Sequence, residues 1–186
     1  SSSEEKIYSL SETVLNNHIY CLGKDGNGAV WMGQGPDYNA ANSVISGVSK
    51  YYPQTEEWEV FHHPYGVKSL ECLNSEVYFV DFHNELYGVK NGKIEKEDYP
   101  NYFYNIQSGM DGNLYGMTSS KIYCRKDGVW GKMDMGEQII KGLYHYCMDF
   151  SVRAGDDLIV GTNMGLFEYA DGNLYSSFTS IGEVVD

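Results

Sequence analysis

The sequence predicts an all-β fold, and three observations carry that prediction. The chain contains 17 Tyr, 7 Phe and 3 Trp but only five Ala, a balance that suits pleated, half-buried strands rather than helices. No stretch longer than two turns carries apolar residues at helical spacing, and the best helical candidate, residues 136–141, is too short to stand alone. Runs of four to six strand-forming residues end instead in Asp-Gly, Asn-Gly or Gly-rich turns.

The strands recur as a repeat. Ala29–Gly33, Glu76–Val80, Asn113–Met117 and Asp157–Gly161 overlay, with Trp31, Tyr78, Tyr115 and Ile159 spaced by 47, 37 and 44 residues. A second strand follows each, at Gly47–Tyr51, Glu85–Val89, Lys121–Arg125 and Gly165–Tyr169, its anchors Val48, Leu86, Ile122 and Leu166 spaced by 38, 36 and 44. A turn and a third strand come next, holding Trp58, Ile94, Trp130 and Tyr175 in turn. The turns are residues 54–57, Asn91-Gly92, Asp127-Gly128 and Asp171-Gly172. Asn, Asp and Gly accept the positive φ that a tight reversal demands. Another strand precedes each unit, at His18–Leu22, Val67–Leu73, Tyr104–Ser108 and Tyr146–Phe150. Four strands per unit, at a period near 40 residues, is the arithmetic of a β-propeller blade. The strands are called a to d, inner to outer, and the repeats span about 17–62, 66–98, 102–134 and 144–179 in a single domain, 1–186.

The pattern of an Asp-Gly-Asn turn, an aromatic strand ending in Gly or Thr, then Gly-Leu-aromatic and an acidic Gly turn resembles the propeller repeats of two-component regulator sensor domains. Asp25-Gly26-Asn27 to Trp31-Met32-Gly33, Asp111 to Thr118 and Leu158 to Tyr169 carry the resemblance, which extends over nearly the whole chain. The second unit departs most, with Asn74-Ser75 in place of the longer a–b turn. Trp-Asp signatures and the Asp-box of sialidases are absent. Residues 6–10 read as a d strand ahead of the first unit and 181–185 as an a strand after the fourth. The expected fold is therefore a propeller of four complete repeats plus terminal strands, either a small four- or five-bladed ring or a section of a larger one. Unpaired terminal strands would invite association, so pairing between these segments or with another subunit is expected.

Composition excludes several classes. The net charge of −13, from 13 basic against 26 acidic residues, repels phosphate and argues against nucleic acid. The longest apolar runs, such as 76–80 and 158–160, fall far short of the ~20 residues of a membrane-spanning helix. The chain is too long and too poor in cysteine for a disulfide-stapled miniprotein. Cys21, Cys72, Cys124 and Cys147 are expected to be reduced, buried and inert, because strands of different blades hold them too far apart to bridge. The start Ser1-Ser2-Ser3-Glu4-Glu5 is similar to the region after the lipidated cysteine of bacterial surface lipoproteins. With the sensor-domain resemblance, the expected location is outside the cytoplasm, at the periplasm or cell surface with a lipid anchor; free cysteines lean the other way, and the cytoplasm is the alternative.

An up-and-down meander sends the tight a–b and c–d turns to one face and the irregular b–c and d–a connections to the other. The irregular face holds Asp37, Tyr38, His62, His63, Tyr65, His83, Tyr99, Tyr102, Tyr144 and His145, and loops on a rigid scaffold are where ligands dock. A zinc site from His63, His83, His145 and Glu137 lacks local ligand spacing, and Asp25-Gly26-Asn27-Gly28 lacks the later Glu of a calcium loop. No metal or cofactor is expected. Gly-x-Ser-x-Gly and phosphate-loop motifs are absent. The expected function is a non-catalytic ligand- or protein-binding module using this face, its partner a small molecule, glycan or protein. The alternatives are a propeller lyase or hydrolase with a His and carboxylate site at the axis, drawing on Asp37, Asp81, Asp98 or Glu137, and a structural segment that oligomerises through its terminal strands.

Overall fold

The computed structural model describes residues 16, 18–36, 45–133, 147–153, 157–162 and 165–176, which form two compact units, Ser1–Glu97 and Asp98–Asp186. Asp37, Tyr38, Glu137, Tyr144, His145, the helical candidate 136–141 and the terminal strands 6–10 and 181–185 lie outside the described residues. Those residues form four antiparallel four-stranded sheets and no helix. The chain is an all-β propeller fold, one sheet per repeat.

In the first unit, β1 (Ile19–Lys24), β2 (Val30–Gln34), β3 (Gly47–Tyr52) and β4 (Glu57–His62) form one blade, and β5 (Ser69–Leu73), β6 (Glu76–Val80), β7 (Leu86–Lys90) and β8 (Lys93–Lys96) the next. Both sheets pair strictly in chain order. Trp31, Val48, Val67, Leu70, Val77 and Phe79 pack into a core drawn from both sheets, with Cys21 and Cys72 at its margin. These cysteines are free and partly rather than fully buried. Burial is nonetheless the largest influence on each thiol and pushes both up to about 12, so they stay protonated and inert. Strand a begins two residues later than Val67, because the Val67 amide donates to the Gln34 carbonyl at 3.0 Å and ties the second blade to the first.

In the second unit, β9 (Asn105–Ser108), β10 (Leu114–Met117), β11 (Ile122–Lys126) and β12 (Val129–Lys132) form a blade beside β13 (Cys147–Val152), β14 (Leu158–Thr162), β15 (Gly165–Ala170) and β16 (Asn173–Ser176). Tyr115, Met117, Ile122, Phe150, Leu158 and Val160 make its core. The inner strands are linked by Asn105 Nδ2 donating to Asp149 Oδ1 at 2.8 Å and by the Val152 amide donating to Gln107 Oε1 at 3.2 Å. Gly116 is required where it stands: a Cβ there would come within 2.7 Å of the buried Phe103 ring.

The tight turns follow their chemistry. Asn91-Gly92, Asp127-Gly128 and Asp171-Gly172 carry two successive positive φ values, near 50° and then 72° to 81°, the type I′ reversal that matches strand twist. The c–d turn of the first blade has no such pair, and Glu56 takes the positive φ of 60° itself.

Candidate functional site

The described part of the irregular face is best organised at the second blade. There the connection from β4 to β5 and the turn from β6 to β7 lie side by side. The Phe82 amide donates to the Tyr65 carbonyl at 3.3 Å, and the Lys68 amide to the Val80 carbonyl at 3.0 Å. Asp81 leaves β6 and closes its turn onto itself: Oδ1 accepts the His83 amide at 2.9 Å and the Glu85 amide at 2.8 Å. Its other oxygen, Oδ2, lies 3.2 Å from His63 Nε2. Both partners are buried, His63 at 6% exposure and Asp81 at 0%. Burial raises the Asp81 carboxyl, but the His63 hydrogen bond, the two amides and the imidazole charge outweigh it and hold the group below the usual carboxylate range.

The His63 ring is boxed by aromatics, with centroids 4.4 Å from Tyr87, 5.3 Å from Phe79 and 5.8 Å from Tyr65. His63 is also pinned through its backbone, its amide donating to Ser46 and its carbonyl accepting the Ser46 hydroxyl at 2.6 Å. Above the pair, Tyr65 and His83 lie 4.1 Å apart, with His83 exposed and Tyr65 exposed by 44%. Lys68 donates from Nζ to Asn84 Oδ1. Burial lowers the Lys68 ammonium to about 8, partly opposed by the Asp81 charge. Tyr20 meets Phe82 edge to face at 5.0 Å, itself 54% exposed.

The structure therefore brings His63, Tyr65 and His83 together. His62 ends β4 exposed, paired with Gly47. Tyr99 and Tyr102 meet in the second unit at 6.3 Å, edge to face, with Tyr102 59% exposed. Lys68 and Asn84 were not anticipated as site residues; the available signal is an Asp just past a strand with amide donors two and four residues on, which fixes the turn that carries Asn84. Asp25 is a turn former, as the missing calcium-loop Glu implies: its Oδ1 accepts the Asn27 and Ala29 amides at 2.9 and 3.0 Å, and its Oδ2 the Trp31 indole N–H at 2.9 Å. Among the described residues no group of three or more His, Cys, Asp or Glu could hold a metal ion. No helix among them is long and apolar enough to cross a membrane.

No family model and no curated protein matches the sequence. Solved structures do match it in fold. A catalytically inactive variant of virginiamycin B lyase from Staphylococcus aureus, with quinupristin, aligns with a TM-score of 0.64 and 18% identity, over 92% of this chain and 59% of that one. The extracellular domain of the one-component system protein BT4673 from B. thetaiotaomicron aligns at 0.58 and 15%, over 95% and 29%. YCF48 from Cyanidioschyzon merolae aligns at 0.59 and 12%, over 89% and 59%. The chain thus spans little more than half of the lyase and of YCF48, and under a third of the BT4673 extracellular domain. At these identities the likeness is one of fold, the β-propeller.

Proposed function

We propose that this chain is a non-catalytic recognition propeller that binds a glycan or peptide through its b–c and d–a connections, in an extracytoplasmic setting. The observation that carries the reading is a division of labour at the second blade: His63, the group that chemistry would use, is packed away and tied to Asp81, while Tyr65 stands exposed on His83. Rigid aromatic side chains with one wet end give contact area at low entropic cost. The fold shared with extracellular sensor domains supports the location. Asp37, Tyr38 and His62 are proposed for the same role within the first unit, and Tyr99, Tyr102, Tyr144 and His145 within the second.

A lyase or hydrolase reading draws on the 3.2 Å contact between His63 and Asp81 and on the fold shared with virginiamycin B lyase. A proton-transferring base must reach its substrate directly or through one water. At 6% exposure, under three aromatic rings, His63 is placed to hold the loops rather than to meet a substrate. The test is binding of wild type and a Tyr65→Ala/Tyr102→Ala variant to arrays of oligosaccharides and short peptides. The reading predicts array signals that the variant loses. Equal signals from both proteins would overturn it.

A further inference from the structure

The first unit contains a cage for an ammonium group, and its own lysine fills it. Lys50 Nζ stands 4.6 Å from the centre of the Trp31 ring and 4.5 Å from that of Tyr52, with Asp25 Oδ2 at 3.8 Å as counter-charge. In the second unit the same three residue types, Trp130, Tyr99 and Asp98, line an open cleft of about 370 Å³ with Pro100, Gly128 and Val129. No Lys or Arg lines this cleft. Arg125 stands opposite Trp130 in the β11–β12 ladder, and Lys126 and Lys132 line a second cleft at the indole, but none of the three lines this one.

The two rings are held in place before any ligand arrives. The fully buried Phe103 backs both of them, 4.9 Å from Trp130 and 5.9 Å from Tyr99. Gly128 has no side chain to close the rim, and a Cβ there would meet nothing within 4 Å. A ring face attracts a cation through its quadrupole, a nearby carboxylate supplies the opposite charge, and the net charge of −13 raises the local concentration of cations. A neutral occupant would leave the Asp98 charge without use.

We propose that this cleft binds an alkylammonium cation, seated against Trp130 and Tyr99 with the Asp98 carboxylate as its counter-charge. A quaternary headgroup and a lysine side chain of a partner protein share that chemistry. The site uses Tyr99 but does not rest on the recognition reading above, since Tyr65→Ala leaves it intact.

The experiment is a titration of the full chain with tetramethylammonium chloride, with Nα-acetyl-lysine amide and with uncharged tert-butanol, at constant ionic strength set by sodium chloride. It is followed by the indole N–H resonance of Trp130 and by saturation transfer to the titrant's methyl or methylene protons. The Trp130 indole N–H is enclosed and lacks an acceptor among the described residues, so its resonance reports a charge brought against its ring. Saturable shifts with either cation, and none with tert-butanol, support the proposal, and the cation that binds more tightly names the source. Asp98→Asn, at an exposed position, is expected to weaken binding about tenfold, and Trp130→Ala to abolish the transfer. Tyr65→Ala should bind tetramethylammonium as wild type does, whether or not it still binds the arrays. No shift with either cation, equal response to tert-butanol, or unchanged binding in Asp98→Asn would each overturn it.

Discussion

Asp25 and Asp81 each open a turn in the first unit with the same hydrogen bonds, and they end on different partners. In both, one carboxylate oxygen accepts the amides two and four residues ahead, at 2.8 to 3.0 Å. In both, the second oxygen meets a ring nitrogen, Trp31 Nε1 at 2.9 Å or His63 Nε2 at 3.2 Å. A lysine attends each: Lys50 is 3.8 Å from Asp25, and Lys68 feels the Asp81 charge. The Asp25 ring is an indole from the same blade, so this carboxylate caps its own sheet at the quiet end, where the next amide, of Gly26, donates to the Asn74 carbonyl of the second blade at 3.1 Å. The Asp81 ring, His63, comes from the connection between blades, so this turn pins two loops of the irregular face. One local solution thus serves as a structural cap in one place and as the foundation of a candidate binding surface in the other.

Removing the carboxylates should separate the two most sharply. Asp81→Ala strands a buried imidazole nitrogen and two amides under three aromatic rings, and should cost about 3 kcal/mol in urea unfolding. Asp25→Ala orphans an indole N–H and two amides but leaves Lys50 its ring faces, and should cost about 2 kcal/mol. Equal losses would mean that His63 contributes nothing particular.

Acid should act on both turns in the same direction. Hydrogen bonds from His63 and backbone amides, and from Trp31 and backbone amides with the Lys50 charge, outweigh burial and hold each carboxyl below its ordinary value. The stability they contribute is therefore complete above about pH 4 and lost as pH falls through the lowered values. Asp81→Asn and Asp25→Asn should each flatten the acid limb of stability measured against pH.

Base should act through Lys68. Its value of about 8 lies below the ordinary 10.5 because of burial, so between these limits the unfolded chain holds a proton that the folded chain has released. Stability should climb across that interval, and Lys68→Met should remove the climb. The smallest effect belongs to the quiet end: Glu56→Gly relieves a positive φ of 60° and should gain about 0.5 kcal/mol with array binding unchanged.

Local features were the ones legible in the sequence. The alternation of Val77, Phe79 and Leu86 with their neighbours, and the Asn-Gly and Asp-Gly pairs, are read within a few residues and became strands and type I′ turns. Glu56 departs from that chemistry: β4 already begins at Glu57, so the first c–d turn ends one residue before the 54–57 that the sequence suggests. The contact between His63 and Asp81 joins residues 18 apart, across two segments that the Phe82 amide to Tyr65 carbonyl and the Lys68 amide to Val80 carbonyl hold side by side. No local spacing announces it, and an exposed loop histidine and a buried paired one look the same in sequence. The cleft at Trp130 was hidden for a related reason: Phe103 sets its rings from outside the strand that carries Trp130.

Exposed tyrosines read the partner, and in the first unit His63 and Asp81 hold the loops that present Tyr65. The most direct measurement is array binding and thermal unfolding on the same preparations of wild type, Tyr65→Ala/Tyr102→Ala and Asp81→Asn. The tyrosine variant should lose binding with a Tm within about 2 °C of wild type, whereas Asp81→Asn should lose several degrees of Tm but still bind below its own transition. A tyrosine variant that binds as wild type does would contradict it.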